Sequence, residues 1–232
     1  MSCPALSIVV PVLNEAATIE ATLTALSSYR ARGIELIVVD GGSSDDTMAL
    51  ARPLSDRALT APHGRAAQMN AGAAVARGDI LLFLHADTRL PNDADGLIRD
   101  GLARSTCAWG RFDVQFDAGG VFSLIAFLMN LRSRLTGIAT GDQGMFVTRS
   151  AFESVGGFPP IALMEDVALS ARVKHISRPL CLRARVTTSA RRWRTRGILS
   201  TVLLMWRLRL AYFLGADPAR LARRYGYVPA EQ

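Results

Sequence analysis

Three short apolar runs in the amino-terminal half each stop at polar side chains: residues 6–10 before Pro11 and Asn14, residues 36–39 before Asp40, and residues 80–84 before His85-Ala86-Asp87. Apolar at consecutive positions, with Ser7 the exception, rather than at alternate ones, such runs read as strands buried on both faces, as inside a parallel sheet. The first is expected to end at Pro11, which cannot donate to a ladder. Between the runs the spacing turns helical. Asn14 sits where a helix cap would, Glu15 falls in the first turn, and Ile19, Leu23 and Leu26 follow, with closure near Tyr29. Asp45-Asp46-Thr47 opens a second helix that Pro53 limits, residues 57–60 read as a brief edge strand, and the small residues from Gly64 to Ala74 form a helix ending near Arg77-Gly78. Strand and helix in alternation predict an α/β fold, a Rossmann-like and mostly parallel sheet with helices on both faces.

Beyond Asp87 the pattern loosens. Residues 97–103 predict a helix, 108–116 a strand with alternating side chains, and 121–131 a strongly apolar helix running into Arg132 and Arg134. Gly141-Asp142-Gln143-Gly144 is a polar loop entering a strand, Gly156-Gly157 marks a turn, and Glu165-Asp166 opens an amphipathic helix through Val167, Leu169 and Val173. Ser189-Ala190-Arg191-Arg192-Trp193-Arg194-Thr195-Arg196 then leads into an apolar segment, 198–214, broken only by Arg207 and Arg209.

Composition narrows the classes. A chain of 232 residues, half of them hydrophobic, suffices for one sizeable core, so one domain over 1–232 is expected, with 189–232 as its basic and apolar C-terminal segment. The longest apolar stretches are cut by arginine well short of the ~20 residues that span a bilayer, and Met1-Ser2-Cys3-Pro4 has no basic region, so a cytoplasmic protein is expected. Cys3, Cys107 and Cys181 fit neither a metal spacing nor a disulfide framework. Net charge is +7, and between Arg172 and Arg224 thirteen arginines and Lys174 face one acid, Asp217. Arginine favours forked contacts to phosphate, although a genomic base-composition bias yields the same excess.

In open α/β sheets ligands bind outside the carboxyl ends of the strands, which is where Asn14, Glu15, Asp40, His85 and Asp87 are delivered. A nucleotide fits such a site. Neither the dinucleotide-binding glycine fingerprint nor a phosphate-cradling loop with its Lys-Ser/Thr occurs, so the economical neutraliser of the phosphates is a divalent cation, Mg²⁺ or Mn²⁺, on a carboxylate at the sheet edge.

Three stretches together, Ile8-Val9-Val10-Pro11-Val12-Leu13-Asn14-Glu15, Val38-Val39-Asp40-Gly41-Gly42-Ser43-Ser44-Asp45-Asp46-Thr47 and Leu82-Phe83-Leu84-His85-Ala86-Asp87, resemble the family 2 inverting glycosyltransferases of GT-A fold. Gly64-Arg65-Ala66-Ala67-Gln68-Met69-Asn70 and Gly141-Asp142-Gln143 are similar to a compact bacterial branch of that family. The resemblance implies that Pro11, Asn14, Glu15 and Asp40 line the nucleobase and ribose, that Asp87 holds the metal on the diphosphate, and that His85 and Ala86 belong to the nucleotide site. His85 stands where the family usually carries an aspartate. Arg65 becomes a diphosphate contact, Asp166 the general base with Glu165 beside it, and Gln143, Arg191, Arg192 and Trp193 contacts of acceptor or diphosphate. Ser189 and Ala190 precede the arginine-tryptophan pair without the glutamine of processive synthases, which implies single transfer. The implied donor is a nucleotide-diphosphate sugar, UDP-sugar first, and the acceptor is a hydroxyl.

Two other readings compete. A nucleotidyltransferase would use a similar sheet and metal but needs a phosphate nucleophile. A basic protein binding nucleic acid or anionic lipid accounts for the arginines but not for the acidic strand ends. Locally, Asn14 and Asp40 could only cap helices, and Glu165-Asp166 could only favour a helix start. The leading expectation is therefore the glycosyltransferase, with no nucleic-acid partner. The segment 198–214, flanked by arginines, reads either as an interfacial membrane helix carrying the protein to a lipid-linked acceptor or as a helix buried in the core or in a homodimer.

Overall fold

The computed structural model describes residues 6–227. Strands β1 (Leu6–Val12), β2 (Glu35–Asp40), β3 (Arg57–Thr60), β4 (Ile80–Phe83), β5 (Thr88–Arg89), β6 (Trp109–Phe116), β7 (Met145–Thr148) and β8 (Leu180–Thr188) form one sheet in the order β3-β2-β1-β4-β7-β6-β8-β5. β7 and β5 run against the other six, so the sheet is mostly parallel. The helices are α1 (Ile19–Ala25), α2 (Ser27–Ala31), α3 (Thr47–Ala51), α4 (Arg65–Val75), α5 (Ala94–Ala103), α6 (Val121–Thr136), α7 (Arg149–Ser154), α8 (Glu165–Val173), α9 (Arg191–Arg196), α10 (Ile198–Phe213) and α11 (Pro218–Tyr225).

Alternate residues of the central strands feed two cores, the period of two that a pleated strand imposes. Ile8, Val10, Leu36, Val38 and Leu82 pack on one face with Ile19 and Leu23 of α1, Ile98 of α5 and Phe122 and Ala126 of α6. Val9, Ile37, Val39, Leu81 and Phe83 pack on the other with Ala66, Met69 and Ala73 of α4, Phe152 of α7 and Leu169 of α8. The small residues of α4 let it approach the sheet closely: a Cβ on Gly72 would stand 2.4 Å from Cγ1 of Val9. A third, smaller cluster joins Leu163, Met164 and Val167 to Leu208 of α10 and Leu221 and Ala222 of α11, holding the C-terminal helices against the start of α8.

Several expectations are corrected. β1 does not stop at Pro11 but continues to Val12, paired with β2 through Val12↔Asp40. Pairing with β4 ends at Val9↔Phe83, where the amide of Leu84 donates to the carbonyl of Val9; two residues on, the absent Pro11 donor faces a side that β4 has left. Asn14 caps no helix: α1 begins at Ile19 with Thr18 at its N-cap. α5 starts at Ala94, and α6 runs on to Thr136, where Gly137 takes the left-handed C-cap conformation at φ 67°. β5 and β8 are strands beyond those the sequence pattern predicts.

Candidate active site

The parallel register of β2, β1 and β4 brings Asp40, the Asn14-Glu15 loop and His85-Ala86-Asp87 to one edge of the sheet, as expected. There a cavity of about 360 Å³ is lined on one side by Pro11, Glu15, Arg65, His85, Ala86 and Asp87, and on the other by Asp142, Glu165, Asp166, Arg191, Trp193 and Arg209. Ten of the fourteen residues singled out from the sequence thus meet around one space.

Three others point elsewhere. Asp40, 3% exposed, accepts hydrogen bonds at Oδ2 from the amides of Gly42 and Ser43 (3.0 and 2.9 Å) and at Oδ1 from the Ser43 hydroxyl, so its carboxylate organises its own loop. Asn14, exposed with φ 52°, accepts at Oδ1 from the Ser44 amide (2.9 Å), while its own amide donates to Ser43 Oγ (2.8 Å). It clips the loop after β1 to the loop after β2. Gln143 is fully buried: Oε1 accepts from the Thr140 amide (3.2 Å), and Nε2 donates to Oδ1 of Asn130 (3.4 Å). Its expected contact with acceptor or diphosphate does not match this position, because a capping box at the turn 140–143 consumes the side chain. The side chain of Arg192 lies outside the described residues.

Glu165 and Asp166 enter from Met164, a buried residue at φ 69°. Asn14 and Met164 are the non-glycine residues of positive φ among those described, and both stand in loops at this edge, where strain held by surrounding structure sets the direction of functional groups. Asp166 is half-buried. Its Oδ2 accepts from the amide of Gly141 (2.7 Å) and its Oδ1 from the amide of Val167 (2.7 Å), which fixes the plane of the carboxylate. Glu165 is 4% exposed; burial first, then the charge of Asp166, raises its pKa to about 7 against the pull of Arg65 and His85. Burial works against the charge of Arg65, but Glu165 and then Tyr225, Asp142 and Asp166 outweigh it and raise its pKa.

His85 links the two sides of the cavity. Its Nδ1 lies 3.3 Å from Oδ1 of Asp142, and its ring packs so tightly on Gly141 that a Cβ there would stand 2.2 Å from Nε2. The Gly141 amide in turn holds Asp166. Asp87 is exposed, and its carboxylate accepts a long hydrogen bond from the Thr88 hydroxyl (3.4 Å). No cluster of three or more acidic, His or Cys side chains preformed for a metal occurs among the described residues. A cation sharing one outward carboxylate with phosphate oxygens needs no such cluster, and Asp87 fits that mode.

Sequence reasoning missed part of the lining. Gln68 is buried in α4 and donates from Nε2 to the carbonyls of Val12 and Val39 (both 2.8 Å), pinning the strand ends; it stood inside a motif without a role. Thr201, Met205 and Arg209 reach the cavity from one face of α10, and their spacing of four was the available signal. Tyr225 and Tyr227 close the far side, Tyr227 stacked on His63 at 5.0 Å between centroids.

Known proteins resemble this chain in sequence and in fold. A glycosyltransferase of PGL/p-HBAD biosynthesis from Mycobacterium bovis is 38% identical over 106 residues, 43% of this chain and 41% of the relative. A probable glycosyltransferase of Bacillus subtilis is 28% identical over 203 residues, 75% of this chain and 47% of the relative. The chain therefore matches less than half the length of these curated relatives. Among solved structures, a mannosyltransferase from Pyrobaculum calidifontis in complex with GDP-Man and Mn²⁺ superposes with a TM-score of 0.65 at 22% identity, over 98% of this chain and 70% of that one, a likeness of GT-A fold. The sequence profile of Glycosyl transferase family 2 matches residues 7–154, well over half of the chain, and the protein belongs to that family.

Proposed function

We propose that this chain transfers a single sugar, with inversion, from a nucleotide-diphosphate donor to an acceptor hydroxyl. The observation that carries the reading is the placement of Asp87 and the Glu165-Asp166 pair around one cavity, with Asp166 oriented by two backbone amides. Asp166 accepts the hydroxyl proton as the acceptor oxygen bonds to the anomeric carbon, and the bond from that carbon to the diphosphate oxygen breaks in the same displacement. No covalent enzyme intermediate is needed. The donor lies along Pro11, Glu15, Ala86 and Asp87, with Arg65 and Arg191 near its phosphates. Mg²⁺ or Mn²⁺, when bound through Asp87, supplies charge to the leaving diphosphate. His85 acts as a positioning residue through Asp142 and Gly141, and the charge of Glu165 favours that of Arg65.

A thermal-shift screen of UDP, GDP and ADP, each with and without Mn²⁺, tests the donor site. Cation-dependent stabilisation by at least one is expected. A protein indifferent to all three that binds RNA tightly without metal would be the basic binding protein instead.

The membrane reading also has support. α10 leaves Leu199, Leu203, Trp206, Leu210 and Phe213 exposed at alternating steps of four and three, and α6 does the same with Val121, Leu124, Leu128, Leu131 and Leu135. No helix is long and apolar enough to cross a membrane among the described residues. Exposed Arg194, Arg196 and Arg207 beside the α10 stripe complement an anionic bilayer, which would bring a lipid-linked acceptor to the cavity. Flotation with anionic liposomes should be salt-sensitive and lost in Leu203→Ser/Trp206→Ser/Leu210→Ser. A protein that stays at the bottom of the gradient and sediments as a dimer would assign the stripe to a second copy.

A further inference from the structure

We propose that Arg132 and Arg209 form a subsite for an oxyanion on the acceptor, a phosphoryl or carboxylate group held beside the hydroxyl that Asp166 deprotonates; this rests on the transferase reading above. Buried polar atoms in folded proteins nearly always have a hydrogen-bond partner. Here Nε and Nη2 of Arg132 and Nε of Arg209 are buried with no partner among the described residues. These are donors awaiting an acceptor, on two guanidinium groups that repel each other. Burial first, and then the charge of Arg209, lowers the pKa of Arg132 to about 10, with Asp166 acting in the opposite direction.

No neighbouring acid reaches these nitrogens among the described residues. Asp113 already accepts from the fully buried Arg111 and, through both oxygens, from Arg134 (2.6 and 3.0 Å). Both Asp166 oxygens accept backbone amides. Arg111 is otherwise spent on Ser133 Oγ and the carbonyls of Phe112 and Asn130. Arg111 and Arg134 are thus matched by Asp113, whereas these nitrogens of Arg132 and Arg209 have no partner among the described residues.

Position identifies what they serve. Arg209 lines the cavity beside Thr201 and Met205 on α10, while α6 carries Arg132 within the field of Asp166. Asp166, whose charge acts on Arg132, lines the same cavity as Arg209. An anion here lies on the acceptor side of the base. Guanidinium forks match phosphate and carboxylate with paired hydrogen bonds, and one such anion satisfies the orphaned donors and cancels the repulsion. The phosphate of a soluble acceptor and that of a lipid share this chemistry.

Titration calorimetry on the full chain, saturated with its best nucleoside diphosphate and Mg²⁺ so that the donor site is filled, tests the subsite with inorganic phosphate and with dihexanoyl phosphatidic acid. Phosphate should bind, and Arg132→Gln and Arg209→Gln should each weaken it about 10-fold or more, the loss expected for charge-assisted hydrogen bonds. Nucleotide affinity should hold within about two-fold. Arg132→Lys, which keeps the charge but not the fork, should fall between and covers the case in which a glutamine variant fails to fold. Phosphatidic acid binding about ten-fold tighter than phosphate would point to a lipid acceptor, and equal binding to a soluble one. Equal phosphate affinity in wild type and variants, or no phosphate binding at all, would overturn the subsite. Loss of nucleotide affinity in the variants would also overturn it, by moving the arginines to the donor diphosphate. A wild type that binds no nucleotide would instead sink the transferase reading, and phosphate titration of the free protein would still decide the subsite.

Discussion

Replacing Glu165 by glutamine should remove a pH dependence of stability that the fold imposes. Folding moves this carboxyl from 4.5 to about 7, because burial and the adjacent Asp166 disfavour its charge more than Arg65 favours it. The folded state therefore holds the proton more tightly than the unfolded state. Between those two values stability falls as pH rises, and the group's favourable share, complete below the unfolded value, is gone above about 7. At about 1.4 kcal/mol per unit, the shift corresponds to up to about 3 kcal/mol lost between about pH 5 and pH 8. Glutamine keeps the shape and does not titrate, and any cost of burying its amide is the same at both pH values. Urea denaturation of wild type and Glu165→Gln at about pH 5 and about pH 8 reads the difference directly. Wild type should lose stability relative to the variant on going to the higher pH. Parallel profiles would refute the claim that Glu165 is a buried, repelled carboxylate.

Two further substitutions probe the site. Asp87→Ala should abolish the cation-dependent part of nucleotide stabilisation while leaving melting without ligand unchanged, because Asp87 is exposed and its carboxylate makes no more than a long bond with Thr88 among the described residues; thermal shift with and without Mn²⁺ decides this. Gly141→Ala drives a methyl group into His85, so the turn that orients Asp166 must shift, and turnover should fall about 10²-fold while nucleotide affinity stays near wild type, as a kcat against Kd comparison would show.

Much of this site was readable because its parts end strands. An apolar run of constant period that stops at a carboxylate delivers that carboxylate to the sheet edge whatever the loop does next, which is why Asp87 and Asp40 were placed together. What the run does not encode is which way the side chain turns. Asp40 turns into its own Gly42-Ser43 loop through local hydrogen bonds, and Asn14 into the facing one through a bond between loops thirty residues apart. β8 escaped notice because Arg183 and Arg185 alternate with Ala184 and Val186 inside a basic block, where charge density hid a period of two. In the same way Arg209 read as an interruption of an apolar segment, although its spacing from Thr201 and Met205 set one polar-accessible face against the exposed stripe of Leu199, Leu203 and Trp206. Periodicity shows that such a helix has two faces; tertiary contacts choose which one meets the cavity.

Asp166→Asn tests the central claim most directly. Asparagine keeps the size of the side chain and removes the proton acceptor, so release of nucleoside diphosphate from the donor sugar in the presence of acceptor should fall by about 10²–10⁴-fold, with donor affinity measured by calorimetry close to wild type. An Asp166→Asn protein that turns over at the wild-type rate would contradict the account, and if Glu165→Gln were then the inactive variant, the base would be Glu165.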